Sequence, residues 1–113
     1  MTVKALLVVS TASSRKEASK IAKALLNKRL AACVNISSAV TSYYWWKGRQ
    51  EKTLEVLLFI KTTSTAFPKI KKTICQLHSY EVPEVIALPI SAASAPYLKW
   101  LLREIDTRRK AVL

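Results

Sequence analysis

The sequence predicts an α+β domain of the ferredoxin-like type: a βαββαβ sandwich with one additional helix at its C-terminal end. Three observations carry that prediction. β-rich and helix-periodic segments follow one another as strand, helix, two strands, helix, strand, the order of a split βαβ unit. The only glycine, Gly48, separates two long β-branched and aromatic runs, where a tight hairpin turn demands a positive backbone angle. No repeat, linker or low-complexity segment divides the 113 residues, so residues 1–113 read as a single domain with one core.

The elements follow in order. Residues 3–9 are a short β-rich run. Ser14-Arg15-Lys16-Glu17 then forms a capping box, in which the Ser14 hydroxyl and the Glu17 carboxylate satisfy free amides at a helix start. Ala18, Ile21, Ala22 and Leu25 recur at helical spacing, with Lys16, Lys20 and Lys23 largely off that stripe, so this helix packs one face on the core and ends near Arg29. Residues 32–46 and 49–62 are the arms of a long hairpin turning at Lys47-Gly48. Phe67, Ile70, Ile74 and Leu77 mark a second amphipathic helix. Residues 82–90 form another strand, in which Pro83 and Pro89 lack amide donors and favour an edge or strand ends. Tyr97, Leu98, Leu101 and Ile105 outline a terminal helix with Pro96 in its first turn.

A sandwich of this kind covers one sheet face with its helices. In residues 54–60 both alternating sets are apolar: Val56, Leu58 and Ile60 on one side, Leu57 and Phe59 on the other. The helices of one small domain cover only one side, so subunits are expected to pack sheet against sheet in a closed symmetric oligomer.

Composition narrows the function. Nineteen Lys and Arg against seven Asp and Glu leave a charge of +12, which attracts polyanions and acidic partners. The cations spread over Arg15, Lys16, Lys20, Lys23, Lys28 and Arg29, then Lys69, Lys71 and Lys72, then Arg103, Arg108, Arg109 and Lys110, mostly on polar helix faces. No groove-reading or RNA-stacking motif accompanies them, which disfavours nucleic acid as a partner. No apolar run approaches the roughly 18 residues of a membrane span, and the apolar start is too short for a secretion signal, so a soluble cytoplasmic protein is expected. Cys33 and Cys75 lack the paired spacing of a zinc or redox motif and read as buried free thiols. Nucleophile-elbow, Walker, dinucleotide and zinc-protease motifs are absent, and a single histidine offers no triad, so an enzyme is not expected.

The stretch Leu77-His78-Ser79-Tyr80-Glu81-Val82-Pro83-Glu84 gathers the only histidine, a tyrosine and two of the seven acidic residues at the end of a helix. Cys75 and His78, three apart, offer a sulfur and an imidazole for copper or zinc if the helix carries both, with Glu81 and Glu84 as oxygen ligands. The plainer alternative is a partly buried thiol, a histidine meeting terminal carbonyls, and glutamates paired with surface cations. Tyr43, Tyr44, Trp45 and Trp46 place four aromatics at the hairpin tip; they can line a ligand cleft or stack bases, and they are favoured as interface anchors.

Three segments together resemble the CutA divalent-cation tolerance family: Lys28-Arg29-Leu30-Ala31-Ala32-Cys33-Val34-Asn35, Tyr44-Trp45-Trp46-Lys47-Gly48, and His78-Ser79-Tyr80-Glu81-Val82-Pro83-Glu84. Glu55-Val56, Ile60-Lys61-Thr62 and Tyr97-Leu98-Lys99-Trp100 extend the match over almost the whole chain. The resemblance implies a homotrimer of ferredoxin-like subunits, similar in architecture to PII signalling proteins. It also implies a response to metal ions, with copper or another divalent transition metal bound at intersubunit clefts near Tyr80 and Trp46. A copper site proposed in that family uses a cysteine and two successive histidines at positions that look like Ser10, Leu77 and His78, of which only His78 is kept. The competing reading is a non-enzymatic trimeric scaffold, or a PII-like signalling protein, holding an anionic protein or small molecule.

Overall fold

The computed structural model describes residues 3–105; Arg108, Arg109 and Lys110 lie outside them. The elements are β1 (Ala5–Ala12), α1 (Arg15–Asn27), β2 (Cys33–Ile36), β3 (Val40–Trp46), β4 (Arg49–Thr63), α2 (Phe67–Leu77), β5 (Val85–Pro89) and α3 (Ala95–Glu104). The main sheet runs β2-β4-β1-β5 with every neighbouring pair antiparallel, while β3 pairs with the other end of the 15-residue β4. β5 lies at the sheet edge, where the missing amide of Pro89 breaks no interior ladder.

One sheet face carries the core. Val8 from β1 and Leu58 and Ile60 from β4 are fully buried beneath Ile21 and Leu25 of α1 and Ile70 and Ile74 of α2, with Leu101 of α3 completing the cluster. An ion pair of 2.8 Å between Arg29, just beyond α1, and Glu104 ties α3 to the same layer. The other face places Val9 opposite Phe59 and Ile86, and Leu7 opposite Leu88. There Ile86 and Leu88 are about half exposed, at 50% and 45%. The helices thus cover one side of the sheet and leave an apolar side open, as the doubly apolar pattern of residues 54–60 anticipates.

Several boundaries differ from the sequence reading. β1 extends to Ala12 instead of Val9, because Ser10 and Thr11 keep the β4 ladder through Leu58 and Leu57 and are themselves buried. The first hairpin arm is two strands. Ile36 faces Leu58 and Val40 faces Glu55, so three residues, 37–39, oppose two, 56 and 57: a β-bulge. Ser37 makes the bulge self-sufficient, since its N–H donates to the Leu57 carbonyl and its Oγ accepts from the Leu57 N–H at 2.8 Å. Beyond the bulge the β3–β4 ribbon leaves the main sheet as a two-stranded projection. Lys47 (φ 51°) and Gly48 (φ 77°) both adopt the left-handed conformation there, as a two-residue type I′ turn requires. The strand expected over 82–90 shortens to Val85–Pro89, freeing residues 80–84 as a connection.

Candidate functional site

α2 ends at Leu77, and His78 follows in extended conformation as its C-cap. That break turns the imidazole inward, where the side chain is fully buried. Nε2 lies 2.6 Å from the Thr11 carbonyl, and Nδ1 accepts from the Tyr80 N–H at 3.0 Å. A carbonyl only accepts and an amide N–H only donates, so Nε2 carries the proton and the Nδ1 lone pair is engaged. His78 is a clamp that holds residues 78–80 to the end of β1, with Nδ1 also 3.8 Å from Glu17 Oε1. In this arrangement both ring nitrogens are engaged by backbone groups.

Glu17 reinforces the clamp. Its Oε1 accepts from Ser13 N–H at 2.9 Å and from Ser13 Oγ at 3.1 Å, and its Oε2 accepts from Ser79 N–H at 2.8 Å. The Ser14 hydroxyl accepts from Glu17 N–H, so the expected capping box forms with its carboxylate arm moved to Ser13 and shared with the loop after α2. Burial works against the charge on Glu17, but the hydrogen bonds from Ser13 and Ser79 prevail and hold its carboxyl below the ordinary 4.5. A carboxyl with a depressed folded-state pKa stabilises the fold above its unfolded value and loses that contribution as pH falls through the folded value. Stability measured by denaturant titration should therefore decline below about pH 4.5, and Glu17→Gln should flatten that decline.

Beside this clamp opens a cleft of about 650 Å³, lined by Thr11, Leu57, Ser42, Tyr43, Tyr44 and Trp46 of β3, and Tyr80, Glu81, Val82 and Glu84 of the connection after α2. Glu55, Glu81 and Glu84 all line it, and among the described residues no lysine, arginine or histidine does. Three of the chain's seven acids thus meet in one depression of a +12 protein. Glu55 is only 7% exposed and takes a 2.8 Å hydrogen bond from the Tyr80 hydroxyl on Oε2. Burial, and then the Glu55 carboxylate, push the Tyr80 hydroxyl well above its usual range, so it stays a donor. Partial burial, and then the charge of Glu55, also raise the Glu84 carboxyl. Ser10 fixes this wall, donating from Oγ to the Glu84 carbonyl at 2.6 Å.

Comparison with known proteins now places the chain. The model of the CutA1 divalent ion tolerance protein family matches residues 6–104. The chain belongs to the CutA1 family. The divalent-cation tolerance protein CutA of Thermus thermophilus is 50% identical over 84% of this chain and 92% of its own length. Human protein CutA is 47% identical over 80% of this chain, which spans 51% of the human protein's length. Among solved structures, the periplasmic divalent cation tolerance protein CutA of Archaeoglobus fulgidus superposes with a TM-score of 0.87 at 36% identity, covering 90% of this chain and 99% of that one.

Within one subunit of this CutA1 chain the expected metal ligands are brought together in part: Glu81 and Glu84 line the cleft, and His78 and Cys75 do not. Cys75 is exposed on α2, against the expectation of a buried thiol, because the core stripe of that helix runs through Ile70, Thr73 and Ile74. His78 leaves the helix and points inward, while Glu81 and Glu84 face the cleft. Among the described residues no group of three or more His, Cys, Asp or Glu can hold a metal ion. The family-like positions are also occupied otherwise: Ser10 is hydrogen-bonded and buried, and Leu77 packs against the core. Within one subunit the described residues therefore assemble no three-donor copper site. Tyr80 and Trp46 do share one cleft, as expected. Of the aromatics marked as interface anchors, Tyr43 (74% exposed) and Trp45 (68%) are the more open, while Tyr44 and Trp46 are near 40% and alternate toward the cleft. Glu17 and Thr11 were missed as site residues, and Glu55 was noted only for its place in a family-like segment. The signal for Glu55 was a lone charge inside the apolar run Leu54-Glu55-Val56-Leu57-Leu58.

Proposed function

We propose that this CutA1 chain acts as a non-enzymatic, homotrimeric divalent-cation tolerance protein that attracts cations into the acidic cleft as exchangeable ligands. The observation that carries this reading is that Glu55, Glu81 and Glu84 line one depression with no basic side chain among the described residues. The sheet order β2-β4-β1-β5, with the helices on one face, supports a ferredoxin-like subunit. Trimer formation is supported by the open apolar face and by the projecting ribbon, since an isolated two-stranded hairpin is marginal in water. In such a trimer a neighbouring ribbon lies against Tyr43 and Trp45, and the cleft opens between subunits. His78, engaged at both ring nitrogens, is no free general base, which favours a binding role over catalysis. Two unpaired cysteines suit a cytosolic setting.

Equilibrium dialysis of the purified oligomer against copper, zinc and manganese tests the reading. Uptake that falls about tenfold in Glu55→Gln/Glu84→Gln and persists in Cys75→Ala supports it. No uptake of any of the three ions overturns it. A second reading, a scaffold for an anionic partner, is favoured by the exposed Lys16, Lys20 and Lys23 of α1 and Lys69, Lys71 and Lys72 of α2. Salt-sensitive retention of an acidic protein by the metal-free oligomer would favour that alternative.

A further inference from the structure

The cleft is built for something larger than an ion. At about 650 Å³ it has the size of a small-molecule pocket, and most of its wall is aromatic or aliphatic: Tyr44, Trp46, Tyr80, Leu57 and Val82. A hard divalent cation takes six or more oxygen ligands and a transition metal a close donor set, and within one subunit the described His, Cys, Asp and Glu side chains form no group of three that could hold an ion tightly. Organic cations need something else: a carboxylate for the charge and ring faces for the weakly hydrated body around it.

Both are present. Glu55 is 93% withdrawn from solvent, given its 7% exposure, yet only Oε2 is hydrogen-bonded, which leaves its other oxygen for an incoming donor. The nearby rings already accept ammonium groups from their own chain. Lys47 Nζ stands 5.7 Å from the centre of the Trp46 ring, and Lys52 Nζ stands 5.8 Å from that of Tyr43. Neither lysine lines the cleft, and among the described residues no other basic side chain there faces its carboxylates.

We propose that the cleft binds a small organic cation, an ammonium or guanidinium group on a short carbon chain, with the charged head on Glu55 and Glu84 and the chain against Trp46 and Tyr44. Tyr80 orders the site by holding Oε2 of Glu55, so the free oxygen keeps one direction. The inference rests on the cation-attracting cleft proposed above and names its ligand class.

Calorimetric titration of the intact oligomer at low salt is the test. The probes are 1,4-diaminobutane, agmatine and tetramethylammonium, with butanol and butyrate as neutral and anionic comparisons and manganese as the inorganic one. One site per chain for at least one organic cation is expected, with no heat from butanol or butyrate. The affinity should weaken about tenfold in Glu84→Gln and in Trp46→Leu, and Trp46→Phe should stay within about threefold of the parent because it keeps a ring face. The oligomeric mass of each variant is checked first, and Glu84→Gln alone decides if Trp46→Leu fails to assemble. Manganese binding with no organic-cation binding overturns this inference and leaves the cation-attracting cleft standing. No binding of either overturns both. Organic-cation binding that is unchanged in Glu84→Gln, or matched by butanol, also overturns it.

Discussion

His78→Ala is expected to destabilise the protein by about 3 kcal/mol or more, one of the two largest effects the structure implies. The imidazole is fully buried, and its removal leaves a cavity together with an unpaired Thr11 carbonyl and an unpaired Tyr80 N–H. Each unsatisfied buried group costs roughly 1–3 kcal/mol, and the cavity adds to that. His78→Asn restores an acceptor close to the position of Nδ1 and should fall between the parent and the alanine variant. Denaturant titration at fixed protein concentration measures both, concentration being held because assembly contributes to apparent stability. A variant with an unchanged midpoint would show that His78 is not a clamp. Loss of Tyr80 order should follow the loss of stability, because the ring of Tyr80 rests 4.7 Å from that of His78 and its hydroxyl reaches Glu55.

Val9→Arg should convert the proposed trimer to monomers. Val9 sits on the open sheet face between Phe59 and Ile86, where a sheet-to-sheet interface would bury it. An unpaired guanidinium buried there costs several kcal/mol, enough to dissociate a trimer at micromolar concentration. Within one subunit the same side chain points away from the helices and remains solvated, so far-ultraviolet circular dichroism should be retained. Sedimentation velocity reads the mass directly. A trimer that survives Val9→Arg would show that the open face is not the interface.

How much of this could be read from the sequence depended on whether local chemistry or long-range pairing decided the outcome. The helix stripes through Ile21 and Leu25 and through Ile70 and Ile74 were readable because period and burial coincide. The turn at Gly48 was readable because positive backbone angles have few sequence solutions. The bulge at residues 37–39 was not, because it arises from a register mismatch with residues on another strand. The site divided in the same way. The stretch from His78 to Glu84 was found from its composition, and Trp46 and Tyr80 do line one cleft. The pairing of His78 with Cys75 was conditional on the helix reaching both, and the helix ends one residue earlier, which leaves the alternative reading of an end-of-helix histidine that meets a carbonyl, here that of Thr11. Thr11 and Glu17 stayed hidden, since the backbone carbonyl of one and the shared cap of the other acquire meaning only when β1, α1 and the end of α2 meet.

The central claim is that cations enter the acidic, aromatic-walled cleft and that His78 shapes it without being a ligand. Anomalous diffraction from crystals of the oligomer soaked with copper, and separately with manganese, tests this most directly. The account predicts anomalous density beside Glu55 and Glu84, with His78 Nε2 still hydrogen-bonded to the Thr11 carbonyl. Density within bonding distance of a His78 ring nitrogen or of Cys75, with the imidazole turned away from Thr11, would contradict it.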